Sequence, residues 1–129
     1  MPVKETYLSD AVFDQLRRAM AADPAGLTAL YRDFLVDARQ SLHALRQSLG
    51  AGQVEEVRAK AHYLRSGSLM LGAQEVARCA ASLEEAAGAG HREQCKGLLE
   101  KLETAVSSIQ IDLSERLGRG VVPTDETAA

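Results

Sequence analysis

Val54-Glu55-Glu56-Val57-Arg58-Ala59-Lys60-Ala61-His62-Tyr63-Leu64-Arg65-Ser66-Gly67-Ser68-Leu69-Met70-Leu71-Gly72 is the stretch on which the fold turns. Val54, Val57, Ala61, Leu64, Ser68 and Leu71 recur at steps of three and four, the interval that gathers side chains on one face of a helix. The spacing predicts a helix from about Gln53 to Leu71, with Gly72 as its C-terminal stop. Gly67 in its middle costs about 1 kcal/mol against alanine and is an oddity there.

The same periodicity continues on both sides. Upstream, Asp23-Pro24 reads as N-cap and first helical residue of a long helix with the stripe Leu27, Leu30, Tyr31, Phe34, Leu35, Ala38, Leu42, Leu45 and Leu49, ended by Gly50-Ala51-Gly52. Downstream, Ala73 to Ala87 carries Val76, Cys79, Ala80, Leu83 and Ala87, and its alanines permit close helix approach. After Gly88-Ala89-Gly90, His91 to Leu117 repeats the pattern through Cys95, Leu98, Leu99, Leu102, Val106, Ile109, Leu113 and Leu117. A shorter helix near Ser9 to Ala22 opens on a Ser9-Asp10 cap signal.

Proline occurs only at positions 2, 24 and 123, and no strand-like alternation appears. Amphipathic helices joined by such short links pack as antiparallel neighbours. The expected fold is all-α: an up-down-up-down four-helix bundle over residues 8–117, with a short N-terminal helix capping one end. Residues 118–129 have no periodicity and are expected to be a disordered tail.

A chain of 129 residues suits one domain. With 46% hydrophobic but only 4% aromatic residues, its core must come from Leu, Ala, Val and Ile. The net charge of −3 gives no reason to expect nucleic acid as a partner. No apolar run approaches the roughly 18 residues of a membrane span, and Met1-Pro2-Val3-Lys4-Glu5 lacks the apolar segment of a signal peptide. A cytoplasmic protein without membrane insertion is the expectation. Cys79 and Cys95 read as reduced core thiols; His91 and Cys95 share a helix face, but two ligands do not close a zinc site, so no metal is expected.

Around the third helix, His62 falls roughly 130° from the centre of the apolar stripe, so its imidazole is expected to face solvent. Glu55, Arg58, Ala59, Arg65, Ser66 and Leu69 share that face, with Met70 on the outward side, giving a surround that is small and basic around the ring with some apolar surface. A neutral imidazole can attack phosphorus, and guanidinium groups beside it would offset the charge of an incoming phosphoryl group. A lone exposed histidine is more commonly a plain surface residue, and His43 and His91 read that way.

The string Ala61-His62-Tyr63-Leu64-Arg65-Ser66-Gly67-Ser68-Leu69-Met70-Leu71-Gly72-Ala73 resembles the signature of the histidine-containing phosphotransfer family. There Ala-His is followed by Leu two residues on, Lys at three, Gly at four, and Gly-Ala at ten and eleven; Leu64, Gly72 and Ala73 keep that register. Leu30-Tyr31-Arg32-Asp33-Phe34-Leu35 with Leu42 and Leu45 resembles the family's preceding helix, and the likeness covers about Leu8 to Leu117.

The resemblance implies that His62 is the phosphoacceptor, through its distal ring nitrogen, with Arg65 and Ser66 beside it. It implies a partner surface around Arg58, Ala59, Gly67, Leu69 and Met70. Its partners would be response-regulator receiver domains and a hybrid sensor histidine kinase, and the chain would be a monomeric carrier more than an enzyme. No cofactor is implied, because Mg²⁺ belongs to the receiver; nor is any ATP-dependent kinase activity. Two positions depart from the pattern. Arg65 replaces Lys, keeping the charge, and Ser66 replaces Gly, so that its side chain either crowds the partner or offers a hydroxyl to the imidazole or phosphoryl oxygens. That departure leaves open a docking or inhibitory module that no longer carries phosphate, and a plain helical assembly protein is a further alternative. Arg65→Ala is expected to weaken transfer more than Arg116→Ala, at the far end of the bundle.

Overall fold

The computed structural model describes residues 7–124. Five α-helices follow one another: α1 (Asp10–Ala19), α2 (Pro24–Gly50), α3 (Val54–Met70), α4 (Gln74–Gly88) and α5 (Arg92–Leu117). The long four form a closed antiparallel ring in which α2 neighbours α3 and α5, while α4 neighbours α3 and α5. The all-α bundle with a capping helix is therefore what the chain adopts, and no strand occurs among the described residues.

Each helix begins and ends for local reasons. The Ser9 hydroxyl accepts from the Val12 N–H at 3.2 Å, and the Asp23 carboxylate accepts from the Gly26 N–H at 2.9 Å, so both predicted caps form. At the end of α3, Gly72 adopts φ +78°, and the Ala73 N–H donates to the Ser68 carbonyl at 2.9 Å. This left-handed residue turns the chain back at once, which lets α4 lie against α3. The core is aliphatic: Leu35, Leu45, Leu83, Leu102, Ile109 and Leu113 are wholly buried, each stabilising the fold by about 1.5–3 kcal/mol. Both cysteines are free and buried.

The α1 helix lids the end of the bundle where α3 turns into α4. The Ser9 N–H donates to the Gly72 carbonyl at 2.8 Å, and Phe13 packs its ring 5.8 Å from that of Tyr31. Arg116 stands 5.0 Å over the Phe13 ring and bonds Asp10 at 2.6 Å and Asp112 at 2.9 Å, joining α1 to α5. Arg116 is thus a structural residue of this lid and no neutral comparator for Arg65. The disordered tail expected for residues 118–129 is corrected where the structure describes it. Arg119–Val121 form a 3-10 turn, Val121 is wholly buried, and Arg32 donates to the Gly120 carbonyl at 3.3 Å. One apolar residue docking into the core is too short a signal for periodicity to detect. Residues 125–129 lie outside the described residues.

Tyr31 supplies a test of this end of the bundle. Its hydroxyl donates to the Leu71 carbonyl at 2.9 Å, and burial pushes its phenol from 10.0 up to about 12. A group whose folded value is raised adds stability that is complete below the unfolded value and is lost as pH rises through the folded one. Tyr31→Phe is expected to cost about 1 kcal/mol at neutral pH. It is also expected to reduce the stability lost between about pH 10 and 12, as read by urea denaturation across that range.

Candidate functional site

The helical phase of α3 puts Val57, Ala61, Leu64 and Ser68 inward and His62 outward. The His62 side chain is 54% exposed, as its angular position requires. It is not alone there. Residues equally distant from the Gly72-Ala73 turn face each other across the α3–α4 hairpin, and His62 and Glu84 stand equally far on either side of Ala73. Glu84 Oε2 lies 2.9 Å from His62 Nδ1.

A carboxylate oxygen accepts and has no hydrogen to give, so Nδ1 carries the hydrogen and donates it. In the neutral ring Nε2 then holds the lone pair. Arg65 Nη2 is 3.4 Å from the same Nδ1, which cannot accept while it carries that hydrogen. The guanidinium is paired with the carboxylate instead: Arg65 Nε and Glu84 Oε1 face each other at 3.5 Å. Both atoms are buried without a well-formed hydrogen bond, so this pair is held by charge more than by hydrogen-bond geometry.

The remaining predicted residues divide by what they touch. Arg58 Nε donates to Glu55 at 2.9 Å, and Lys60 donates to Glu56 at 3.0 Å. The surround is small, as expected, but its cations each have a carboxylate beside them, so the basic face is largely neutralised. Ser66 turns its hydroxyl to the His62 carbonyl at 3.2 Å and away from the ring. Gly67 has open space where a Cβ would stand, and Ala59 is exposed. Leu69 and Met70 are 61% and 76% exposed, and Tyr63, which the sequence reading passed over, is 67% exposed. All three stand on the solvent-exposed surface of α3. On the α2 side, a groove of about 400 Å³ is lined by Asp37, Ser41, Ala59, Lys60 and Tyr63.

Among the described residues, no group of three or more His, Cys, Asp or Glu is arranged to hold a metal ion, and no helix is long and apolar enough to cross a membrane. His43 and His91 are exposed and have no comparable surround.

The fold recurs among known proteins. No curated protein sequence matches the chain. Histidine-containing phosphotransfer protein B (HptB) from Pseudomonas aeruginosa PAO1 superposes with a TM-score of 0.81 at 27% identity, covering 88% of this chain and 96% of that one. A rice protein described as a histidine-containing phosphotransfer protein shares the fold, with a TM-score of 0.78 at 19% identity over 88% of this chain and 84% of its own. The Hpt domain family model matches residues 29–112, a span that takes in most of α2, all of α3 and α4, and the histidine that they expose. The chain belongs to the Hpt domain family.

Proposed function

We propose that His62 is the residue through which this Hpt domain carries phosphoryl groups in a phosphorelay, and that Nε2 is the atom that accepts them. The observation that carries this reading is the Glu84 bond to Nδ1, which directs the lone pair of an exposed ring outward. A nucleophile needs that lone pair free and an open line of approach, and the small side chains of Ala59, Ser66 and Gly67 leave room for one.

The phosphoryl donor or acceptor is an aspartyl phosphate of a response-regulator receiver domain, with a hybrid sensor histidine kinase upstream. The receiver brings Mg²⁺ and the charge that neutralises the moving group, so this chain acts as a cytoplasmic, monomeric carrier. Arg65 hydrogen-bonds the phosphoryl oxygens once they arrive, which costs little because its pair with Glu84 lacks hydrogen-bond geometry. Tyr63, Leu69 and Met70 give the receiver apolar contact, and Arg58 lies at the rim.

The test is incubation with a phosphorylated receiver and Mg²⁺. Acid-labile, base-stable label on this chain is the expected result, whereas receiver binding without label would favour the docking or inhibitory module. Ser66 makes a separate prediction. Because its hydroxyl is occupied by the His62 carbonyl, Ser66→Ala should leave the transfer rate within about twofold. A loss of about tenfold, the worth of one hydrogen bond, would show that the hydroxyl turns to the phosphoryl group instead.

A further inference from the structure

Glu84 does more than aim the ring. We infer that Glu84 keeps the Nδ1 hydrogen on His62 throughout the phosphorylated state, so that phosphoryl transfer runs in both directions without gain or loss of a proton. The inference rests on His62 as phosphoacceptor and concerns what makes the step reversible.

The bookkeeping of the step shows why the proton matters. As the Nε2 lone pair forms the N–P bond, the P–O bond to the donor's carboxylate breaks and its electron pair leaves on that oxygen. Nδ1 still carries its hydrogen, so the ring becomes a phosphoimidazolium whose positive charge faces the Glu84 carboxylate 2.9 Å away. On return, the N–P electron pair goes back to Nε2 and a neutral imidazole leaves. If Nδ1 had lost its hydrogen to water in between, the leaving group would be an imidazolate, a far stronger base, and the phosphoryl group would be stranded.

The surroundings favour retention. Glu84 is only 19% exposed, which strengthens its attraction for a cationic ring. Arg65 stands 3.5 Å from Oε1 and so does not occupy the oxygen that meets Nδ1. The other charged groups near the ring are Arg58 with its Glu55 partner on α3, and Lys60 and Asp37 across the groove towards α2. Arg58 and Lys60 each have an acid beside them, and the two charges that meet the ring itself are Glu84 Oε2 at 2.9 Å from Nδ1 and the Arg65 guanidinium at 3.4 Å, of which the carboxylate is the closer. Glu84 is a positioning residue: it acts on the phosphoryl group only through His62.

The test needs no receiver. The full chain is phosphorylated with phosphoramidate, and the protonation of Nδ1 in the phosphorylated ring is followed by ¹⁵N NMR across the pH range. An opposite charge at hydrogen-bond distance is expected to hold the proton to a pH about one unit or more above that of free Nε2-phosphohistidine. Glu84→Gln, which keeps the shape and an accepting oxygen but not the charge, is expected to remove the shift, and its rate of label loss to fall with rising pH where wild type stays level. A wild-type midpoint equal to that of free phosphohistidine overturns the inference, whatever the variant does. So does a Glu84→Gln profile parallel to wild type. Failure of a receiver to label the chain would sink the relay reading while leaving this measurement intact.

Discussion

His62→Gln is expected to reduce acid-labile labelling by a phosphorylated receiver to background, the largest effect that any single substitution should have on transfer. Glutamine is close to histidine in reach and polarity but has no ring nitrogen with a nucleophilic lone pair, so the chemistry is removed with little change of surface. The fold should tolerate the change. His62 is exposed, its one strong contact is Glu84, and the carboxylate keeps Arg65 as a partner. A stability change below about 0.5 kcal/mol is expected on those grounds. Receiver binding should persist, because Tyr63, Leu69 and Met70 remain in place. Label that survives the substitution would move the acceptor elsewhere, to His43 or His91.

The second large effect lies in the fold. Gly72→Ala is expected to destabilise the protein by about 2–5 kcal/mol, from left-handed backbone strain of about 1–2 and overpacking of about 1–3. Gly72 has φ +78°, and a Cβ there would stand 2.8 Å from Val12 Cβ and 3.2 Å from Ser9 Cβ. Neither is the far end of a flexible chain, so α1 must shift, straining the Ser9 bond to the Gly72 carbonyl. The Tm should fall by roughly 5–15 °C. His62 and Glu84 stand away from this end of the bundle, so the folded variant should still accept label in the cold. A Tm within about 1 °C of wild type would show that the lid does not pack as described.

How legible the molecule is from its sequence depends on how far apart the deciding residues lie. Helices declare themselves locally: apolar steps of three and four, the Ser9 and Asp23 caps, and the glycines of the links place every helix of the bundle within a few residues. The outward phase of His62 follows from the same arithmetic. What lies across a helix pair does not. Glu84 belongs to another helix, and only the symmetry of the hairpin about Ala73 could have pointed to it.

The remaining contacts are of both kinds, some between helices and some within one turn of a single helix. Glu55, three residues before Arg58 on the same face, is in reach of the sequence, whereas Glu84, the partner of Arg65, lies on another helix and is not. Arg116 looks remote from everything and instead ties α5 to α1. Ser66 had two open roles, and its bond to the His62 carbonyl favours neither the imidazole nor the phosphoryl oxygens as its partner in the free protein. The Hpt family match covers the residues from α2 to α5 that create this arrangement.

One measurement reaches the centre of the account: locating the phosphoryl group atom by atom after transfer from a receiver, through ³¹P–¹⁵N coupling in the ¹⁵N-labelled chain. The expected result is a single phosphorylated nitrogen, Nε2 of His62, with Nδ1 still bearing hydrogen. Phosphorus on Nδ1 of that ring, or on any other residue, would contradict it.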